Sequence, residues 1–266
     1  MKHTAIADNF SDRLFVNPRW NDHTVKSRNK SPEKVNVYGK EYTVYASRFC
    51  SNKSAIIVSD DMTGKMAGFP SISTNCLCNP FYRARIEKAS PDSICSHCFA
   101  DATLNHYSDL NENCKRNFDV LTAGVLPFEL LPRFYSDVKQ ARIESFGDVF
   151  NVNQAINYIN IAIVNPHVNV TAWSKNPFIW AAAFARVGKP ANLTFILSSQ
   201  YLNRRAVIAS GIAEYVDIVF TVYSPDYIEK NHININCGAR DCATCRACYR
   251  PDLNKSGVRF ISEKLK

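Results

Sequence analysis

The sequence predicts an α/β fold built on a parallel sheet, and three observations carry that prediction. Four β-branched runs recur between residues 142 and 223 at a spacing of about 24–25 residues, with helical stretches between them. Strand–helix alternation at that period is the signature of βα units on a parallel sheet. The chain has 266 residues, 46% of them hydrophobic, which is enough for a large core. It contains no run of about 18 apolar residues that would read as a membrane span. Ten cysteines are too few at this length for a disulfide scaffold, so they require another use.

The elements follow in chain order. The first 50 residues are polar and basic, with nine Lys/Arg against five Asp/Glu. Within them Val35–Tyr38 and Tyr42–Tyr45 flank Gly39-Lys40-Glu41, which predicts a β-hairpin turning at residues 39–41. Ala55-Ile56-Ile57-Val58-Ser59 reads as a strand, and residues 63–70 are turn-rich. Residues 99–123 read as helical with a polar interruption over 105–113. The four runs then span residues 142–148, 168–175, 192–199 and 216–223. Between the first two, Ile156, Ile159 and Ile163 recur at helical spacing. Pro177 suits a first helical position and Gly188 a C-cap. Residues 201–213 are expected to form the next helix. Residues 1–52 thus read as a basic arm with a hairpin, 53–250 as the βα domain with cysteine motifs at both ends, and 251–266 as a basic tail.

A parallel sheet places ligands at the carboxyl ends of its strands. The predicted strands end in polar residues: Asp148, then Ser174-Lys175, Ser198-Ser199-Gln200 and Tyr223-Ser224. Asp148 and Lys175 fall on adjacent strands if sequential strands pair. Both become candidate substrate-binding or catalytic residues, with Ser198.

The cysteines divide into groups. Cys237, Cys242, Cys245 and Cys248 follow a C-x4-C-x2-C-x2-C pattern, four thiols within twelve residues. Overlapping x2 spacings resemble the iron–sulfur run of ferredoxins more than the two separated knuckles of a zinc site. Zinc, or thiol redox chemistry, is the alternative. Cys95-Ser96-His97-Cys98 is a second CxxC, with Cys76-Leu77-Cys78 upstream. Either Cys76 or Cys78 supplies a third ligand, the other being a fourth or a packed bystander. His97 lies between the two thiols and would point elsewhere if they converge. Cys50 and Cys114 lack ligand-like spacing and read as buried thiols. A rival arrangement pairs Cys95/Cys98 with Cys245/Cys248 in one structural zinc ribbon.

The charge leans basic, with 32 Lys+Arg against 24 Asp+Glu for a net +8. Clusters at Lys26–Lys34, Arg83/Arg85/Lys88, Lys115-Arg116, Arg204-Arg205 and Lys255–Lys266 suit a polyanion, with nucleic acid as the candidate partner. The N-terminal residues lack the apolar stretch of a secretory signal, so the expected compartment is cytoplasmic.

Several of these motifs, in order, resemble phage "gene product 88" domain proteins. They are Thr63–Ser73, Cys95-Ser96-His97-Cys98-Phe99-Ala100, Arg142–Asp148, Asn165-Pro166 with Trp173-Ser174-Lys175-Asn176, and Cys242–Tyr249. The resemblance runs from about residue 53 to 250. It implies a partial (open) βα barrel related to radical S-adenosylmethionine (SAM) proteins, acting in the cytoplasm of an infected bacterium. It further implies one or two [4Fe–4S] clusters. Cys78 or Cys76 with Cys95 and Cys98 would hold the first, and Cys237, Cys242, Cys245 and Cys248 the second. Glu144, Gly147 and Asp148 would meet SAM. The sequence departs from the radical SAM pattern in its long gap before Cys95, in His97 where an aromatic is usual, and in having Phe146-Gly147-Asp148 rather than a GGE run. Two functions therefore stand: an iron–sulfur enzyme of radical-SAM-like or redox type, and a zinc-stabilised nucleic-acid- or protein-binding module.

Overall fold

A computed structural model describes residues 32–59, 64–68, 70–79, 90–238 and 241–265. The first 31 residues lie outside this description, as do the basic residues Arg83, Arg85 and Lys88. Strands β1 (Glu33–Val37) and β2 (Lys40–Val44) pair antiparallel. Their turn is Tyr38-Gly39, one residue earlier and shorter than the sequence suggests. Both turn residues take positive φ, 51° and 80°, as a two-residue hairpin requires. Asn36 Oδ1 fixes the turn by accepting the Gly39 N–H at 2.9 Å. The hairpin is no detached arm, because Tyr42 and Val44 are buried in the main core.

The run Ala55–Ser59 is buried but forms no strand ladder; only single bridges occur, at Ser54 and Ser59. Its backbone groups find a side chain instead. Asn117 accepts the Ile57 N–H through Oδ1 at 2.8 Å and donates through Nδ2 to Ile57 O at 2.8 Å and Ser73 O at 3.0 Å. A buried backbone must be satisfied somewhere, and here a helix supplies the partner. After the short β3 (Ser71–Ile72) come helices α1 (Phe99–His106) and α2 (Ser108–Ala123). The break is confined to Tyr107, so the polar stretch 105–113 is mostly helical, and Asp109 and Asn113 line a cavity rather than marking a loop. Cys114, Asn117, Val120 and Leu121 form the buried stripe of α2.

The βα units follow: β4 (Gln140–Ile143), α3 (Val152–Val164), β5 (Asn169–Ser174), α4 (Pro177–Val187), β6 (Leu193–Ser198) and β7 (Ile218–Tyr223). Asn151 caps α3 by accepting from Gln154 N, and Pro177 opens α4. Gly188 closes α4 at φ 80°, with its N–H on Phe184 O. The expected helix over 201–213 is absent. A loop and a 3-10 turn at Ser210–Tyr215 take its place. The Ser199 hydroxyl lies within reach of both Tyr201 O and Arg204 O, with its one hydrogen to share, and accepts from Tyr201 N, and Asn203 bonds Ser224, so side chains hold this connection in a non-helical path.

After α5 (Pro225–Asn231) and the single turn α6 (Cys242–Cys245), the basic tail forms a further strand, β8 (Arg259–Lys264). It pairs parallel with β7 from Ile218↔Arg259 to Tyr223↔Lys264. The sheet has six parallel strands in chain order, β3-β4-β5-β6-β7-β8.

Side-chain alternation gives this sheet two different faces. Ala141, Ile143, Val170, Ala172, Leu193, Phe195, Leu197 and Val219 join the core that contains Ile156, Ile159, Trp180 and Phe184 of α3 and α4. Trp180 and Phe195 meet with ring centroids 5.4 Å apart. The opposite parity carries Arg142, Thr171, Trp173, Ile196, Ile218, Phe220 and Ile261, and against it pack Cys237 and Cys248. Among the described residues no helix is long and apolar enough to cross a membrane.

Replacing Asn117 by Ala leaves three buried backbone groups without partners. The expected loss is about 3 kcal/mol, or a fall of roughly 6–12 °C in melting temperature. Calorimetry on the purified chain checks it, and a fall below about 2 °C would mean that other groups satisfy Ile57 and Ser73.

Candidate functional site

A cavity of about 1140 Å3 opens on the second face of the sheet. Its floor is made by Arg142, Trp173 and Phe220, and its edge by the strand ends Glu144–Asp148, Lys175 and Ser198-Ser199. It therefore reaches the carboxyl ends of the strands. Cys95 and Cys98 line it together with Phe99, and so do Cys237, Cys242 and Cys248.

The first cysteine group is built on short turns. Ser93 caps the 3-10 turn Ile94–His97 by accepting from Cys95 N, and Cys98 occupies the N-cap position of α1. Cys76 sits in another 3-10 turn, Cys76–Cys78. Its thiol donates to Cys98, which pulls the Cys98 thiol down and pushes its own up. The Ala100 and Asp101 N–H groups at the start of α1 and the Lys175 charge act on Cys98 in the same direction. Cys78 faces elsewhere: its charged neighbours Asp119, Lys115 and Glu112 all belong to α2. Of the two upstream candidates, Cys76 thus joins Cys95 and Cys98, and Cys78 does not. His97 is exposed, with Nε2 3.0 Å from Pro91 O, so it also leaves the group. Cys50 and Cys114 are both buried.

The second group lies on the segment between α5 and β8. Asp241 caps α6 by accepting from Thr244 N at 2.7 Å, and Arg246 ends it at φ 52°. The next 3-10 turn returns the chain to the sheet, where Thr171 Oγ1 donates to Cys248 O at 3.1 Å. Tyr249 is buried against Trp173, with centroids 5.8 Å apart. All four cysteines surround one small void of about 30 Å3 together with Lys65. Lys65 Nζ stands 3.8 Å from Cys237 Sγ and 2.6 Å from Glu263 Oε1. Arg142 holds Cys242 and Cys248 under its positive charge, although burial still pushes the Cys248 thiol up to about 12. Cys245 is exposed.

The thiols acting on each group come from within that group, joined by cations from other elements. Cys98 feels Cys76 and Lys175, whereas Cys248 feels Cys237, Cys242 and Cys245. The groups also belong to separate packed clusters. Among the described residues Cys95 and Cys98 share no packed cluster with Cys248, one of the partners the ribbon pairing needs. Among the described residues no three His, Cys, Asp or Glu side chains stand close enough to hold a single ion as placed. The thiols of the second group surround a space rather than a point. Their fit to an anionic centre rests on one atom: Arg142 Nε is buried beside them and has no hydrogen-bond partner.

The strand-end candidates separate into two kinds. Glu144 is 3% exposed and adopts φ 60°, a strained position for a residue other than glycine. Its carboxylate accepts from Thr74 N at 3.0 Å, Thr74 Oγ1 at 2.8 Å, Gln154 Nε2 at 2.9 Å and Tyr158 Oη at 2.5 Å. Gly147 is required by this knot. A Cβ there would overlap Thr74 Oγ1 and stand 2.6 Å from both Glu144 Oε2 and Thr74 O. Asp148 accepts from Val149 N, Ser174 Oγ and Lys175 N, tying the end of β4 to the end of β5. These three residues build the edge of the cavity, and the oxygens of both carboxylates are taken by the protein's own donors. Lys175 and Ser198 line the cavity.

Arg142, Lys65 and Trp173 lie outside the sequence-derived site. Arg142 had a visible signal. It is charged between Ala141 and Ile143, so strand alternation sends it to the face away from the helices. Compared with protein-family models, with curated proteins and with solved structures, the chain matches none.

Burial raises the Glu144 carboxyl to about 7, with the Asp148 charge acting in the same direction and the Tyr158 and Thr74 donors opposing. The unfolded carboxyl releases its proton near pH ~4.3. The contribution of Glu144 is therefore full below ~4.3 and is lost as pH rises through about 7. Wild-type stability measured against Glu144→Gln is expected to fall by on the order of 3 kcal/mol between pH ~4 and ~8. Paired melting curves across that range test this, and a constant difference would show that Glu144 is ionised throughout.

Proposed function

We propose that the chain is an iron–sulfur protein whose metal centres face a ligand cavity on an open βα barrel, in the manner of the phage family it resembles. One observation carries the reading: two separate thiol groups line a single cavity at the carboxyl edge of a parallel sheet. Cys237, Cys242, Cys245 and Cys248 would hold one cluster with all four positions filled. Cys76, Cys95 and Cys98 would hold a second with three, leaving one iron for an outside ligand in the cavity. A [4Fe–4S] cluster supplies one-electron chemistry when bound. Its environment here is Lys65, Arg142 and Arg259 at the four-thiol group, and Lys175 with a helix N-terminus at the three-thiol group.

The chain's own residues favour an anionic ligand. The Glu144 and Asp148 carboxylates are consumed by internal donors, and Glu263 by Lys65. Arg48, Lys175 and Lys264 line the same walls, beside Phe99, Phe146 and Phe220. Cations beside flat apolar surfaces suit a nucleotide, free or within a strand. The volume exceeds the roughly 300–1,000 Å3 of single-ligand pockets. SAM at the three-thiol group and a second molecule beyond it fit that space together.

Anaerobic reconstitution of the full chain with iron and sulfide is expected to give a brown protein with about four or eight irons per chain. Cys242→Ser and Cys76→Ser each remove one centre, while Cys78→Ser keeps wild-type iron and sulfide content. A colourless product that retains only zinc under the same conditions overturns the iron–sulfur reading in favour of the binding module. Iron loss in Cys78→Ser with none in Cys76→Ser reverses the assignment of the third thiol.

A further inference from the structure

Arg142 is a ring-stacked cation that β4 carries beneath the four-thiol segment. Its guanidinium lies 4.0 Å over the Trp173 ring, and its Nη1 donates to the Met66 sulfur at 3.5 Å. Met66 and Trp173 pack in one cluster with Cys242, Cys248 and Tyr249. Stacking on one side and a sulfur contact on another hold the plane in a fixed orientation beside the four-thiol segment. Its Nε is buried with no hydrogen-bond partner. Among the described ion pairs no carboxylate is matched to it. The neighbouring Lys65, by contrast, is neutralised by Glu263 at 2.6 Å.

Arg142 is half-buried and also bonded to Tyr249, but its buried Nε–H still lacks an acceptor, and a charged group with an unmet buried donor is costly. The candidate anions facing it are the thiolates. We infer that Arg142 is a positioning residue for the four-thiol centre: it supplies the uncompensated positive charge and a buried N–H donor, and so sets that centre's reduction potential. This rests on the iron–sulfur reading above. An added electron makes the centre more negative, so a fixed cation in a low-dielectric wall stabilises the reduced form and raises the potential. Lys65 contributes less, since its field is cancelled by Glu263.

The test uses the reconstituted full chain carrying Cys95→Ala and Cys98→Ala, so that only the four-thiol centre is read. In that background Arg142→Met is expected to keep its iron and sulfide. Its midpoint potential falls by about 59 mV, a tenfold change in the one-electron reduction equilibrium. Arg142→Lys, which retains the charge but not the planar fork, falls between Arg142→Met and the parent. Lys65→Met shifts the potential by less than Arg142→Met. A parental potential in Arg142→Met at full iron content overturns the inference. So does loss of iron from both Arg142 variants, which would mark Arg142 as a folding residue. A parent chain that takes up no iron overturns the underlying reading as well.

Discussion

The alternation of side chains along the parallel strands is the constraint on which the rest of this molecule depends. Each strand that feeds α3 and α4 with apolar residues must present its other residues to the opposite face. On β4 the choice is Ala141 and Ile143 against Arg142, and on β5 it is Val170 and Ala172 against Thr171 and Trp173. The first set is uniformly small or branched and packs densely. The second set is mixed in charge, hydroxyl and aromatic character, which a water-facing surface would tolerate but a buried one would not. The cysteine-bearing segment 237–249 covers it, anchored through Thr171, Trp173 and Ile261. One face thereby stabilises the fold, and the other is left for chemistry.

This division explains what was legible in the sequence. The four β-branched runs became β4 to β7 because each keeps one parity apolar for the helix-covered core, while β4 and β5 leave Arg142, Thr171 and Trp173 on the other. The helix at Pro177 was legible because proline and glycine mark its two ends. The hairpin was legible too, though its turn moved to Tyr38-Gly39 because Tyr38 accepts a positive φ that tyrosine seldom adopts. What escaped notice was structure made by long-range partners. The run Ala55–Ser59 has the composition of a strand, yet its partner is the side chain of Asn117, sixty residues away. Strand β8 carries Arg259, Glu263 and Lys264, so it reads as a tail until β7 offers it a ladder. The segment after β6 has helical spacing, but Ser199 and Asn203 spend its backbone groups elsewhere.

The site was legible in the same uneven way. Spacing separated the ligand-like cysteines from Cys50 and Cys114, since thiols close in sequence are close in space. It had no means of choosing between Cys76 and Cys78, which are two residues apart on a 3-10 turn and point to different neighbours. Polar strand ends correctly marked the edge of the cavity, yet polarity alone does not distinguish a residue that meets a ligand from one that builds the wall. Glu144 and Asp148 build it: each spends its carboxylate on backbone and side-chain donors from other elements, and Gly147 is small because that knot leaves no room.

The electrostatic balance of the cavity follows from that same economy. A carboxylate that accepts three or four protein hydrogen bonds offers little to a ligand, however near the surface of the cavity it lies. Lys65 and Glu263 cancel, which leaves Arg48, Arg142, Lys175 and Lys264 against Asp109, Glu144 and Asp148 along walls that hold two sets of thiols. Thiols beside cations are stabilised as thiolates, and thiolates are what bind metal. The cations act in that direction on both sets, although in the four-thiol set burial outweighs them, and they reach the two sets by different means. Cys98 has a helix N-terminus and the Cys76 thiol, both local to its own turns, whereas the four-thiol segment depends on Lys65 and Arg142 from elements far off in sequence. The first set can therefore form wherever its turns form. The second is complete only after β4 has paired into the sheet and carried Arg142 beneath it, which ties the chemistry of this centre to the closure of the fold.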